Sequence, residues 1–178
     1  MVGSESFNVQ AGDNGRYTAV LDIDESSAQE LVRVKAKGLD TLNPGVEFVS
    51  QLSSVEKLLA QAGDDKTLDS NDNFGVNITN VTTAEFALLT RDGKEPASEA
   101  ELDSALLNVD ADEKIQLATL IKIVVDNPDY SLPEGVNSTL ELVANEQVAK
   151  QFEEEVTEKD PEIIEKTKKE IIRKILNL

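Results

Sequence analysis

The sequence predicts an α+β protein: a small antiparallel N-terminal β-sheet (a partial sandwich), followed by a mainly helical domain of about five to six helices. Three observations predict it. Residues 7–50 alternate polar and apolar side chains with the period of a strand, punctuated by turn signals at Asp13-Asn14-Gly15 and Asn43-Pro44-Gly45. From Ser53 onward the apolar spacing changes to that of a helix. A helix-start signature then recurs five times, at Ser53-x-x-Glu56, Thr82-x-x-Glu85, Ser98-x-x-Glu101, Asp110-x-x-Glu113 and Ser138-x-x-Glu141. In such a capping box the cap side chain accepts from a free helix N–H and the Glu reaches back to the cap's own N–H. The chain accordingly divides into a small β subdomain, 1–51, and a helical domain, 52–178.

Element by element, Arg16–Ile23 reads as a strand with Tyr17, Ala19, Leu21 and Ile23 on one side. Asp24–Gln29 is a polar connection, and Leu31–Ala36 repeats the alternation as a second strand that Gly38 ends. Val46–Ser50 is a short third strand; three strands need further cover on their apolar face. The first helix carries Val55, Leu58, Leu59 and Ala62 as a stripe, and Gly63 is placed for a left-handed cap. A polar loop over 64–80 contains the β-like run Val76-Asn77-Ile78. The second helix runs from Thr82 to about Arg91 with Phe86, Leu88 and Leu89 inward; the third follows Ser98 with Leu102, Leu106 and Leu107. The fourth, Asp110 to about Asp126, is apolar on nearly every side and is the candidate central helix. A long acidic helix from Ser138 and a last helix from Asp160-Pro161 form a terminal hairpin over 138–178. On that last helix Ile164, Thr167, Ile171, Ile175 and Leu178 form a stripe widened by Ile163 and Ile172, and Glu162–Lys166, Glu165–Lys169 and Glu170–Lys174 have ion-pair spacing.

Composition narrows the chemistry. The 178 residues carry 17 basic and 35 acidic side chains, a net charge of −18, and aromatics are only 4%. A field of that sign repels phosphate backbones and anionic headgroups, so nucleic acid is not an expected partner. The absence of His and Cys excludes Ser-His-Asp and Cys-His catalysis, disulfides and ordinary zinc sites. No apolar run approaches the roughly 20 residues of a membrane span, so no membrane insertion of this segment is expected. No signal peptide opens the chain, yet Gly3-Ser4-Glu5-Ser6 leads abruptly into an extended pattern. That opening is read as a cut from a longer exported precursor.

The stretches Asp13-Asn14-Gly15-Arg16-Tyr17-Thr18 and Leu31-Val32-Arg33-Val34-Lys35-Ala36-Lys37-Gly38 resemble carboxypeptidase-regulatory-like (transthyretin-like) β-domains. The run Val76-Asn77-Ile78-Thr79-Asn80-Val81-Thr82-Thr83-Ala84 is similar to a segment that follows such domains in bacterial exported proteins and lipoproteins, where a helical region opens. The resemblance implies an accessory β element without catalytic residues and a periplasmic or cell-surface location. A cytoplasmic location is the alternative left by the absent signal peptide.

No catalytic, cofactor-binding or metal-ligating residue is nominated, and no cofactor. The chief candidate for a ligand is the acidic loop 64–75, because calcium takes six to eight oxygens from carboxylates, amides and carbonyls. Asp69-x-Asn71-x-Asn73 has the alternate-residue spacing of an EF-hand, but Phe74 stands where Gly is required, Gly75 is one late, and Asn80 occupies the twelfth position. The plainer reading is a polar turn whose Asp and Asn side chains bond local backbone. Asp22 and Asp24 share a strand face, as paired carboxylates do in glycoside hydrolysis, and also as solvated strand edges do. Lys114 and Lys122 flank the apolar fourth helix, as desolvated nucleophiles or as snorkelling side chains. Ser26-Ser27 is a loop with no base nearby in sequence, and Phe86, Leu88 and Leu89 line either a pocket or simply the core. The reading that follows is a non-enzymatic structural or protein-binding module. Its partner would be another protein or another domain of its own chain. A monomer is favoured, with a dimer through residues 161–178 as the alternative.

Overall fold

The computed structural model describes Tyr17, residues 25–69, Asp72, 75–91 and 93–176. The predicted turn at Asp13-Asn14-Gly15 and most of the predicted first strand lie outside the described residues. Within them stand two antiparallel strands, β1 (Leu31–Lys37) and β2 (Glu47–Ser54). Seven helices follow: α1 (Val55–Ala62), α2 (Asn80–Thr90), α3 (Glu99–Leu107), α4 (Ala111–Asp126), α5 (Thr139–Ala144), α6 (Glu146–Lys159) and α7 (Ile163–Ile175). The α+β class with a mainly helical body is therefore as the sequence predicts.

The hairpin closes through Gly38 and the Asn43-Pro44-Gly45 turn. Gly38 N–H donates to Val46 O at 2.8 Å, and a Cβ on Gly38 would lie 2.1 Å from Asn43 O, so the backbones meet where only hydrogen fits. Gly45 has φ +74°, the left-handed conformation that glycine tolerates. Pairing runs from Lys37↔Glu47 to Leu31↔Ser54, with an irregularity between Leu31 and Arg33. Strand β2 therefore continues to Ser54, past the boundary the apolar period suggests.

That continuation moves the first helix cap. Ser54, not Ser53, accepts from Lys57 N–H, and Glu56 receives a bond from Gln29 instead of reaching back. The second cap moves too: helix α2 starts two residues early, capped by Thr79, which exchanges bonds with Thr82. Thr82 is thus the far side of the box, and Glu85 is free to pair with Lys114. The caps at Ser98, Asp110 and Ser138 stand as the spacing predicts. Even there, Glu101 and Glu141 accept from the residue before the cap, Ala97 and Asn137. Val76–Ile78 forms no strand.

One predicted helix is two. Asn145 breaks the run from Ser138, with φ −104° and ψ 110°, and its side chain accepts from Gln147 and Val148 N–H. An Asn with extended backbone satisfies the free donors of the helix it opens. Its capping signal has no Glu at the third position, so the box pattern passes over it.

Helix α4 is the hub. Leu117, Ala118, Leu120, Ile121 and Ile123 are buried, and α2, α5, α6 and α7 all pack on it. Phe152 and Val156 of α6 and Ile164 and Ile171 of α7 complete the aliphatic core. Each such side chain stabilises by about 1.5–3 kcal/mol relative to exposure. Helix α7 lies more extensively against α4 than against α6. Its three predicted i,i+4 pairs do not form; Glu170 instead faces Lys122 of α4 at 3.8 Å.

The outer edge of β2 is sealed by threonines. Thr83 of α2 accepts from Val49 N–H at 2.9 Å while donating to Thr79 O at 2.6 Å. Thr139 of α5 accepts from Glu47 N–H at 2.9 Å and donates to Glu47 O at 2.6 Å. Both threonines are fully buried, so the hydroxyls supply bonds that a third strand would otherwise supply. The hairpin and the helices share these bonds across the boundary near residue 51.

Candidate functional site

Most of the residues singled out by the sequence are engaged in holding the fold. In the acidic loop, Asp65 accepts from Thr67 N–H at 2.9 Å and Asp72 from Asp69 N–H at 3.1 Å. Gln61 donates to Asp72 O at 3.2 Å, tying the loop to α1, and Lys66 takes the left-handed conformation at φ 54°. Asp and Asn side chains commonly serve turns in this way. Asn71 and Asn73 lie outside the described residues, as do Asp22 and Asp24. Among the described residues no three carboxylates stand close enough to hold a metal ion.

Lys114 bonds Glu85 at 2.8 Å, and Lys122 is shared by Asp126 and Glu170 at 3.8 Å in the latter case. Each lysine thus bridges α4 to a neighbouring element. Ser27 is buried and its carbonyl accepts from Glu30 N–H; Ser26 is exposed. Phe86 and Leu89 are core, not pocket lining. The Arg33 guanidinium lies 4.3 Å over the Phe86 ring and is held there by Gln51 at 3.1 Å and Glu95 at 2.7 Å. This cation–π lid over a buried aromatic joins β1, β2, α2 and the loop before α3. No local motif announces it, because its members are scattered over 62 positions of sequence.

Electrostatics follow the same pattern. The Glu95 carboxyl is held below its ordinary range by the hydrogen bond from Arg33. Burial pushes the Glu99 carboxyl up, but bonds from Lys57 and from Ser54 N–H outweigh it and leave the group lowered. Glu99 accepts both at 2.6 Å, so it clamps the start of α1 to the start of α3. Arg91, at the end of α2, pairs with Glu113; its Nε and Nη2 are buried without a partner among the described residues.

Concavities are shallow. An open depression of about 440 Å³ lies along α6, lined by Lys150, Glu153, Glu154, Thr157 and Glu158. A smaller one, about 170 Å³, forms where Tyr130 and Ser131 meet Phe152, Val156 and Lys159. Lys159 sits 4.6 Å over the Tyr130 ring and donates to Asp129 O at 2.6 Å. The three glutamates of the larger depression project from a single helix, so they do not oppose one another across a bond as glycoside hydrolysis needs.

Exposed apolar side chains group at three places, while Leu59, which its spacing puts on the α1 stripe, and Val125 stand exposed singly. Leu39 and Leu42 (71% exposed) form the hairpin tip. Leu106 and Leu107 (88% exposed) close α3. Helix α3 has only nine residues, and its bond to the hairpin is made at its start, where Glu99 accepts from Ser54 N–H. Ile172, Ile175 (51%) and Leu176 (57%) form the third group at the end of α7, where Ile175 stands exposed although its spacing continues the buried stripe.

No protein family, curated protein or solved structure matches this chain.

Proposed function

We propose that this chain is a non-enzymatic structural or protein-interaction module of a bacterial exported or surface-attached protein. One observation carries the reading. Among the described residues many polar side chains serve capping, edge sealing and ion pairing, and three groups of large apolar side chains stand in water. Scattered exposed leucines are ordinary, but grouped ones mark contact surfaces. A heavily acidic surface favours electrostatic selection among partners over raw affinity. The resemblance of the Asp13–Gly38 region to accessory β-domains supports a periplasmic or cell-surface location. The partner is another protein or another domain of the same full-length chain.

Photo-crosslinking in the cells that make the protein tests this. A crosslinking residue placed singly at Leu42, Leu107 and Ile175 is expected to capture a protein, or another part of the same chain, from at least one position. Folded, abundant protein that yields no adduct at any of the three refutes the reading. Recovery of the protein in the cytoplasmic fraction refutes the location.

A further inference from the structure

We infer that the C-terminal end of α7 is a docking surface for an acidic protein segment that carries apolar anchors. The inference rests on the interaction-module reading and names its partner's chemistry.

Ile164, Thr167 and Ile171 of α7 are buried in the core. Ile175 continues that stripe by its spacing, but at the end of the helix it stands in solvent, and with Ile172 and Leu176, at i, i+3 and i+4, it forms one exposed apolar group. Along α7 the charge is inverted relative to the rest of the molecule. Lys166, Lys168, Lys169, Arg173 and Lys174 against Glu165 and Glu170 make α7 net +3, in a chain of net −18.

Among the described residues the cations of α7 also lack partners. Among the described residues, eight of the eleven cations outside α7 form ion pairs. None of the five on α7 does, although carboxylates outnumber cations two to one. A fold with so many acids pairs its cations readily, so the unpaired ones beside the apolar triad (Lys168 and Lys169, four and three residues before Ile172, and Arg173, three before Leu176) form a surface complementary to carboxylates.

Charge and area select the occupant. The exposed triad offers on the order of a few hundred Å², the scale of a functional patch on a monomer. A stable dimer buries about 800 Å² per partner. A two-fold axis through the triad would also bring Lys169 and Arg173 against their own copies, between bodies each of charge −18. A short segment avoids both problems: apolar side chains cover Ile172, Ile175 and Leu176, and flanking Asp or Glu meet Lys168, Lys169 and Arg173.

Titration of the 15N-labelled chain tests this with four probes. They are a short synthetic helix of Leu and Glu, the same helix with Lys for Glu, phosphatidylglycerol-containing vesicles, and the chain itself at rising concentration. The Leu/Glu helix is expected to shift the amide resonances of residues 168–176. The affinity should fall by about tenfold in the double charge reversal Lys169→Glu/Arg173→Glu and comparably on raising salt. Ile175→Ser should weaken it by a similar factor; being at an exposed position it leaves the fold intact, which circular dichroism checks. No response to the Leu/Glu helix, an equal response to the Lys helix, response to vesicles alone, or self-association alone each overturns the inference. A crosslink from Ile175 without any response to the Leu/Glu helix overturns this partner chemistry while leaving the interaction module standing. No crosslink at any position refutes the module itself.

Discussion

Replacing Thr83 by Val exchanges one hydroxyl for a methyl on a fully buried side chain. Shape is kept, and the change isolates the edge seal of β2. Thr79 O does not go unpaired, because it also accepts from Thr83 N–H at 3.0 Å and from the Thr82 hydroxyl at 3.1 Å. Val49 N–H does go unpaired, at a residue with no solvent exposure. A buried donor stripped of its acceptor costs about 1–3 kcal/mol, and the extra methyl returns only part of that, so Thr83→Val should destabilise by about 2 kcal/mol. With a urea slope of roughly 1–3 kcal/mol/M, the midpoint falls by about 1 M. Amide exchange of Val49 should accelerate along with it. The control is Thr119→Val, also at a fully buried site, whose hydroxyl only donates to Ile115 O within its own helix at 2.7 Å. No partner's N–H depends on it, so the change should stay within about 0.5 kcal/mol. Equal effects at positions 83 and 119, or unaltered Val49 exchange in Thr83→Val, would refute the claim that α2 closes the sheet edge.

Four other outcomes follow from the same geometry. Gly38→Ala should cost at least about 2 kcal/mol in chemical denaturation, since its Cβ meets Asn43 O at 2.1 Å. Ser54→Ala should cost about 1 kcal/mol and Ser53→Ala about half of that or less, the reverse of the ranking that the Ser53-x-x-Glu56 spacing suggests. Asn145→Ala should cost about 1 kcal/mol through the lost bonds to Gln147 and Val148 N–H, with early fraying of α6 in amide exchange. Because Glu99 is held below its ordinary range in the folded chain, its contribution is present above that range and is lost as pH falls through the lowered value. Thermal melts should therefore show wild type more stable than Glu99→Gln near neutrality, with the two curves converging below about pH 4; a gap that persists at lower pH removes Glu99 as the clamp.

The places where sequence and structure part share a cause. Capping boxes at Ser98, Asp110 and Ser138 were legible because each is flanked by loop on its N-terminal side, so no strand pairing competes with the local cap. The box at Ser53 failed because strand pairing, a contact with residue 31, carries β2 through Ser54 before a helix can begin. The box at Thr82 yielded to Thr79 because the Thr79–Thr82 exchange caps the helix one turn earlier. Leu106, Leu107 and Ile175 have helical spacing suited to burial, but burial requires a neighbouring element, and periodicity does not say where that neighbour ends. The candidate site was less legible still: the sequence pointed to carboxylates in loop 64–75, whereas the surfaces the fold leaves open are grouped apolar side chains and, on α7, unpaired cations.

The sequence by itself determined the order of strand and helix, the hub role of α4 and the excluded chemistries, because period, cap residues and composition are local properties that survive in any arrangement of the elements. Only the tertiary structure decided which hydroxyls seal the β2 edge, that Arg33 covers Phe86, and which face of α7 is left in water. Those depend on groups far apart in the chain arriving within hydrogen-bond or van der Waals distance, and that juxtaposition is a property of packing.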